Sequence, residues 1–435
     1  MTTGQDLRSL RESQGVSLVT LSREIRISKG HLSRVERGER PVTPALVLAY
    51  RRILGVSVAA TSGNENAPFS AGTVDSVKRR ELLSSIAAAS VGAAALEPLA
   101  RLLDGLPGSS PSSVGLSEVK AVESATQLYM DMDLAGHSAT ATAMARGVLS
   151  WSVSLLDRKM SSTTRERLFP AVGLLADRLG WATYDSGASE RAIQLLTFAL
   201  DSSAQGADRD LRAHVMLDLS TVVTDMGRPS DGVEILRMAL GDERISSAEQ
   251  ANLHAVAARH CATAGQHEAG LRHIVRAEEA LSRNSKAIAP DWARRITVSA
   301  GHHDSALGIA LFALGEDERA RERLTAAVRK LDTGRTRTGL RCLTRLAVLD
   351  IRAGAYDQGE VKALQAAAKA TDIQSTRVSA DLRMVIDTAR RHGMPDLAAE
   401  LTTVLRKDQG TDPEAVTSPA GESLPDDRRT QAPRL

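Results

Sequence analysis

Seven times between residues 136 and 398 the chain places a glycine and, five residues later, an alanine or a second glycine. The pairs are Gly136/Ala141, Gly187/Ala192, Gly227/Gly232, Gly265/Gly270, Gly315/Ala320, Gly354/Gly359 and Gly393/Ala398. In five of the seven an alanine follows twelve residues after the first glycine: Ala199, Ala239, Ala277, Ala327 and Ala366. Glycine tolerates the left-handed backbone that ends a helix. A small side chain early in the next helix then lets that helix cross its predecessor without a clash. The unit so described is a helix–turn–helix hairpin. Hairpins of this size bury little alone, so they must stack into an α-solenoid of inner and outer helical layers. Successive glycines stand 51, 40, 38, 50, 39 and 39 residues apart, so the repeat is longest at two places.

Composition agrees with helix-on-helix packing. Aromatic residues are 3% of 435, so any core must be built from Leu, Val, Ile and Ala, which disfavours an aromatic-rich sandwich or barrel. The predicted class is all-α. Two cysteines, Cys261 and Cys342, exclude a disulfide scaffold and a Cys-rich zinc module, and fit a reducing cytoplasm. The net charge of +2 hides an asymmetry: residues 1–60 carry ten Arg or Lys against five acids. A basic head on a mildly acidic body is the charge pattern of a nucleic-acid-binding module joined to another domain, although a soluble surface alone gives the same count.

The boundaries follow from composition. Residues 1–56 read as a compact helical head, and 57–77, rich in Ser, Gly, Asn and Ala, as a linker. Residues 78–104 read as a connecting helix, 105–115 as a second linker, 116–406 as the solenoid and 407–435 as a disordered tail. Lys78-Arg79-Arg80 before an Ala-rich run looks like a twin-arginine export signal. Such a signal belongs ahead of a folded domain and not behind one, and the run is too short and soft to span a membrane, so no membrane partner is expected.

Within the head, Leu7 and Leu10 share a face of the first helix, which Gly15 stops. Ser17 caps a second helix, with Leu18, Leu21 and Ile25 inward. Ser28 caps a third, with Leu32 and Val35 inward and Gly38 at its end. Leu46, Leu48, Ile53 and Leu54 belong to a further helix after Pro41 and Pro44. Two short capped helices around a brief turn suit insertion of the later one into a major groove. Its non-core positions are Lys29, Gly30, His31, Ser33, Arg34 and Arg37, with no acid before Glu36. Arg34 is the first candidate for a base contact, because a guanidinium pairs in bidentate fashion with guanine O6 and N7. Lys29 is the second, and Gly30 permits close approach to the bases. The competing reading is a helical bundle that has lost DNA binding.

The run from Gly15 to Pro41, GVSLVTLSREIRISKGHLSRVERGERP, resembles the phage-repressor-type helix-turn-helix, also called the xenobiotic-response-element family, most closely over ISKGHLSRVERGERP. The resemblance covers residues 5–56. It implies that Ser28, Lys29, Gly30, Ser33 and Arg34 face bases or phosphates, with Thr20 and Arg26 in the same DNA-facing set. It also implies that Glu36 is structural and paired with Arg11 of the first helix. Two positions depart from the family pattern. Leu18 stands where Gln is usual, which removes one phosphate contact, and Arg26 stands where the turn usually has Gly. The body resembles the tetratricopeptide-repeat family in a degenerate, elongated form, which implies a right-handed α-solenoid whose concave side binds a peptide, a protein segment or a sister subunit.

Other constellations do not support chemistry. His254, His260, Cys261, His267 and His273 share no clean i, i+4 face, and Gly265 interrupts them, so no metal site is expected. His302-His303-Asp304 reads as a surface cluster or as hydrogen-bonded histidines, since neighbours on a helix point about 100° apart. Arg335, Arg337 and Arg341 read as a solvated helix end, with an anion site as the alternative. There is no phosphate-cradling loop, nucleophile elbow or zinc-protease motif, so neither catalysis nor a cofactor is expected.

The combination resembles the peptide-pheromone-receptor regulators of Gram-positive bacteria. It implies a cytoplasmic transcriptional regulator that binds double-stranded DNA at an inverted-repeat operator, as a homodimer, under control of a peptide or small-molecule effector. The alternatives are a body that serves only as a dimerisation arm, and a protein-interaction scaffold whose head serves assembly.

Overall fold

The computed structural model describes residues 4–25, 29–40, 50, 83, 86, 113–134, 137–283, 289–299, 301–331, 335–371, 373 and 375–409. The chain divides into two compact units, Met1–Ala71 and Gly72–Leu435. Among the described residues every named element of both is a helix, and the one β contact is an isolated bridge between Ser113 and Lys159. The linker at 57–77, the helix carrying Leu46 to Leu54, residues 410–435 and nearly all of 78–112 lie outside the described residues. Of the connecting helix, Leu83 and Ile86 are described; both are helical, and Ile86 is buried.

The first unit contains α1 (Gly4–Ser13), α2 (Leu18–Ile25) and α3 (Lys29–Glu36). Leu7, Leu21, Leu32, Val35 and Tyr50 are buried there. Gly15 and Gly38 take positive φ, 65° and 78°, where α1 and α3 end. Ser17 Oγ accepts the Thr20 N–H at 3.1 Å, capping α2.

The second unit is a stack of seven helical hairpins: α4 (Leu116–Leu134) with α5 (Ser138–Leu155), α6 (Ser162–Asp185) with α7 (Ser189–Ala204), α8 (Arg209–Asp225) with α9 (Pro229–Ala239), α10 (Ser247–Thr263) with α11 (His267–Ser282), α13 (His302–Ala313) with α14 (Asp317–Lys330), α15 (Thr336–Arg352) with α16 (Tyr356–Ala370), and α17 (Thr376–Arg391) with α18 (Pro395–Gln409). First helices α4, α6, α8, α10, α13, α15 and α17 pack in series on one another. Each second helix packs on its own first helix and, up to α16, on the first helix of the next hairpin. This is the two-layered α-solenoid expected from the glycine pattern.

The glycines act as anticipated. Gly187, Gly227, Gly265, Gly315, Gly354 and Gly393 have φ between 71° and 95°. After each, the next N–H reaches back five residues, as in Ala355 N to Asp350 O at 2.9 Å and Glu316 N to Leu311 O at 3.0 Å, which satisfies carbonyls left free at the helix end. Gly136 lies outside the described residues. Five positions on, Ala141, Ala192, Ala320 and Ala398 are buried. Where glycine takes that place the helices are closer still: a Cβ on Gly359 would stand 2.6 Å from Ile351 Cγ1. N-caps come from Ser161, Asp208, Ser246 and Ser375, each accepting the N–H three residues on.

The two long spacings have separate origins. Gly136 to Gly187 includes α6, which runs for 24 residues. Gly265 to Gly315 includes an inserted short helix, α12 (Asp291–Arg295). Its Trp292 is buried, donates Nε1–H to Asp208 Oδ2 at 2.8 Å and lies 5.3 Å from the His214 ring.

Candidate nucleic-acid interface and ionic centre

In the head, Arg11 on α1 donates Nε–H and Nη2–H to the two oxygens of Glu36 on α3, both at 2.7 Å. The Tyr50 hydroxyl donates to Glu36 Oε1 at 2.9 Å, and Arg11 also donates to Val16 O at 3.0 Å. Both charged side chains are almost fully buried, and the bidentate geometry compensates their lost hydration. Burial, with the adjacent carboxylate, pushes the Tyr50 phenol well above its usual range. This cluster fixes α3 against α1 from the inside.

The opposite face of α3 is open. Lys29, Gly30, Arg34 and Arg37 are exposed, and His31 and Ser33 are half-buried. A Cβ on Gly30 would meet nothing within 4 Å. Arg34 curls back to donate to Gly30 O at 3.2 Å. Arg37 donates to Ser33 Oγ and pairs with Glu39 at 2.6 Å, an exposed pair that a phosphate can displace at little cost. Arg40 lies 3.4 Å from His31 Nδ1. Thr20 is exposed at the start of α2, 2.9 Å from Ser17 Oγ. Arg26 and Ser28 lie outside the described residues.

In the body the first-helix layer holds a series of buried charges. Arg178 on α6 donates to the Asp177 carboxylate and, at 2.8 Å, to Asp218 Oδ2 on α8. His214 on α8 lies 3.2 Å, through Nδ1, from Glu249 Oε1 on α10. Burial alone would lower the His214 pKa, but Glu249 and Asp218 more than reverse that and hold it at about 9. Burial and the neighbouring Asp177 push Asp218 up. Further along, Arg341 and Arg345 on α15 grip Asp381 on α17 at 2.9 and 2.8 Å, which keeps that carboxyl far below its usual range despite burial.

The reading of Arg335, Arg337 and Arg341 as a solvated helix end does not hold. Arg337 pairs with Asp133 on α4 at 3.0 Å and with Asp185 at the end of α6 at 3.3 Å. Asp185 also accepts from Arg377 and from Ser375 Oγ, both at 2.7 Å, and the Arg377 guanidinium stacks on Trp181 at 4.3 Å. Arg295 pairs with Asp131. The contacts of Arg337, Ser375 and Arg377 join the first two hairpins to the last two, and that of Arg295 joins α12 to the first. In the His/Cys group His254 and His273 meet each other, while His260 meets Ser220, His267 meets Leu314 O and Cys261 meets Gln266. His302 meets Asn252 and His303 meets Ala248 O. The ionic centre of Asp177, Arg178, His214, Asp218 and Glu249 escaped sequence reasoning. Its one local signal is the i, i+4 spacing of His214 and Asp218 on α8.

Among known proteins, a family described as "Helix-turn-helix domain" matches residues 4–62. No curated protein matches the chain. Among solved structures, the crystal structure of aspartyl phosphate phosphatase F from Bacillus subtilis is similar at 13% identity, covering 83% of this chain and 100% of that one, with a TM-score of 0.33. No helix among the described residues is long and apolar enough to cross a membrane.

Proposed function

We propose that this chain is a sequence-specific DNA-binding transcriptional regulator. In this reading the head binds an inverted-repeat operator as part of a homodimer, and the helical-repeat body dimerises and senses a peptide or other ligand. The observation that carries the reading is the open cationic face of α3, with Lys29 and Arg34 exposed and no acid before Glu36, inside a segment that matches a helix-turn-helix domain. Phosphate contacts supply affinity and base-edge contacts supply sequence preference. Lys29, Arg37, Arg26 and Thr20 suit the first task. Arg34 suits the second, with Ser28, Ser33 and His31 beside it and Gly30 clearing the approach. Arg11 and Glu36 stay structural. Half-sites then lie about one helical turn apart, or a multiple of it.

The test is a gel shift of the full chain on DNA from its own upstream region, followed by affinity measurement across operator variants. Arg34→Ala costs about 1–3 kcal/mol and relaxes preference at one base pair. Lys29→Ala weakens all sequences alike and lowers the salt slope by about one. Unaltered specificity in Arg34→Ala would falsify the assignment of Arg34. No retardation at any salt, with stable protein capture by residues 116–406, would favour the scaffold instead.

A further inference from the structure

We infer that Asp177, His214 and Asp218 form a binding site for one divalent cation of borderline softness, of the zinc class, with Glu249 orienting the imidazole.

Three observations carry this. The first is geometric: one ligand-type atom from each of the three residues lies within 4.8 Å of the others, and all three residues are buried. Ligands about 2.1 Å from a common ion stand about 3.4 Å apart at the tetrahedral angle, so modest side-chain rotation closes the set. The second is the orientation of His214. Its Nδ1 faces Glu249 Oε1 at 3.2 Å, which leaves Nε2 turned toward Asp218 Oδ2 at 3.9 Å. A carboxylate on one imidazole nitrogen with the other nitrogen directed at acids is the outer-sphere arrangement that fixes a histidine ligand. The third is unmet valence. His214 Nε2 and Asp177 Oδ1 are buried and without a hydrogen-bond partner, although His214 is 3% and Asp177 0% exposed. Buried polar atoms rarely stay unpaired.

Charge points the same way. Three carboxylates (Asp177, Asp218 and Glu249) face one guanidinium, that of Arg178, and the His214 ring, whose proton a bound cation would replace. Arg178 occupies one oxygen of each aspartate, Oδ2 in both, and Asp177 keeps its buried Oδ1 for an ion. The Trp292 ring, 5.3 Å from that of His214, covers the histidine. Two carboxylates and one imidazole select a borderline cation over magnesium or calcium, which favour all-oxygen shells. Because the ligands come from α6 and α8, the ion would tie two consecutive hairpins directly and a third through the Glu249 contact to His214, and its binding energy would add to their stability.

The experiment uses the full chain, stripped with chelator and titrated with Co²⁺ and Zn²⁺, with Mg²⁺ as comparison. The expected result is one equivalent of Co²⁺ with visible d–d absorption, displaced by Zn²⁺ and not by Mg²⁺, and a Zn²⁺-dependent rise in Tm. His214→Gln and Asp177→Asn should each weaken binding at least about tenfold, and Glu249→Gln by about 10–100-fold. Should these variants fail to fold, pulsed EPR of Cu²⁺ bound to the unaltered protein decides. Coupling to one imidazole nitrogen supports the site, and its absence overturns it. No saturable binding, or one equivalent that His214→Gln leaves unchanged, overturns it as well and leaves the cluster as an ion-pair network. None of these outcomes depends on DNA binding.

Discussion

His254 illustrates how a single buried side chain sets a response to acid. Its Nδ1 lies 2.9 Å from His273 Nδ1, on the facing helix of the same hairpin. Burial, and then the neighbouring His273, lower its pKa from 6.5 to about 4. A histidine that is harder to protonate when folded contributes its full stability above pH 6.5. That contribution is lost as pH falls through about 4, and it amounts to about 3 kcal/mol. His273 is shifted in the same direction. Denaturant unfolding of the chain at pH 7 and pH 5 checks this: the protein should lose stability over that interval, and His254→Asn should flatten the loss. Identical slopes would remove His254 as the cause. The bidentate Arg11–Glu36 pair, buried with Tyr50 against it, represents the opposite case, in which charge is retained because every partner is in place.

At the scale of the element, the turn glycine and the small residue five places on do different work, and the α15–α16 hairpin, in which both are glycine, distinguishes them. Gly354 has φ of 79° and open space around its Cβ position, so alanine there costs only the left-handed backbone, about 1–2 kcal/mol. Gly359 is helical, and its Cβ would sit 2.6 Å from Ile351 Cγ1 and 3.1 Å from Ala347 O. Alanine gains about 1 kcal/mol of helix propensity there but forces α15 and α16 apart, an overpacking of about 1–3 kcal/mol. The expected sign is net destabilisation at both, with repacking of the α15–α16 hairpin only for Gly359→Ala, visible as faster amide exchange along both helices. The same contrast explains what the sequence made legible. A turn glycine and a small residue five places on are local to one hairpin, so the all-α solenoid could be read directly from their recurrence. The ionic centre could not. Asp177, His214 and Glu249 sit on three helices, 37 and 35 residues apart, and nothing local marks them as neighbours. Arg337 was misread for the same reason: its acids, Asp133 and Asp185, belong to the first and second hairpins. Trp292 and α12 stood out only as an overlong spacing.

For the molecule as a whole, the ion pairs between the first two hairpins and the last two carry the largest consequence. Asp185 accepts from Arg377 and Ser375 and pairs with Arg337, and its side chain is nearly buried. Asp185→Asn leaves the Arg377 guanidinium short of its counter-charge while Arg337 keeps Asp133, and removing one partner of a buried pair typically costs about 3–5 kcal/mol. Amide exchange should then accelerate in α4–α6 and in α17 together, while α10 and α11 stay protected. Acceleration confined to α6 would mean that the pairs are incidental. Repeat arrays usually fray from either terminus, one unit at a time. Here the outermost units hold each other, so shortening the body from its carboxyl end should be felt about 200 residues upstream. Deletion mapping would then assign to residues 376–409 a role whose physical seat is also near Asp185.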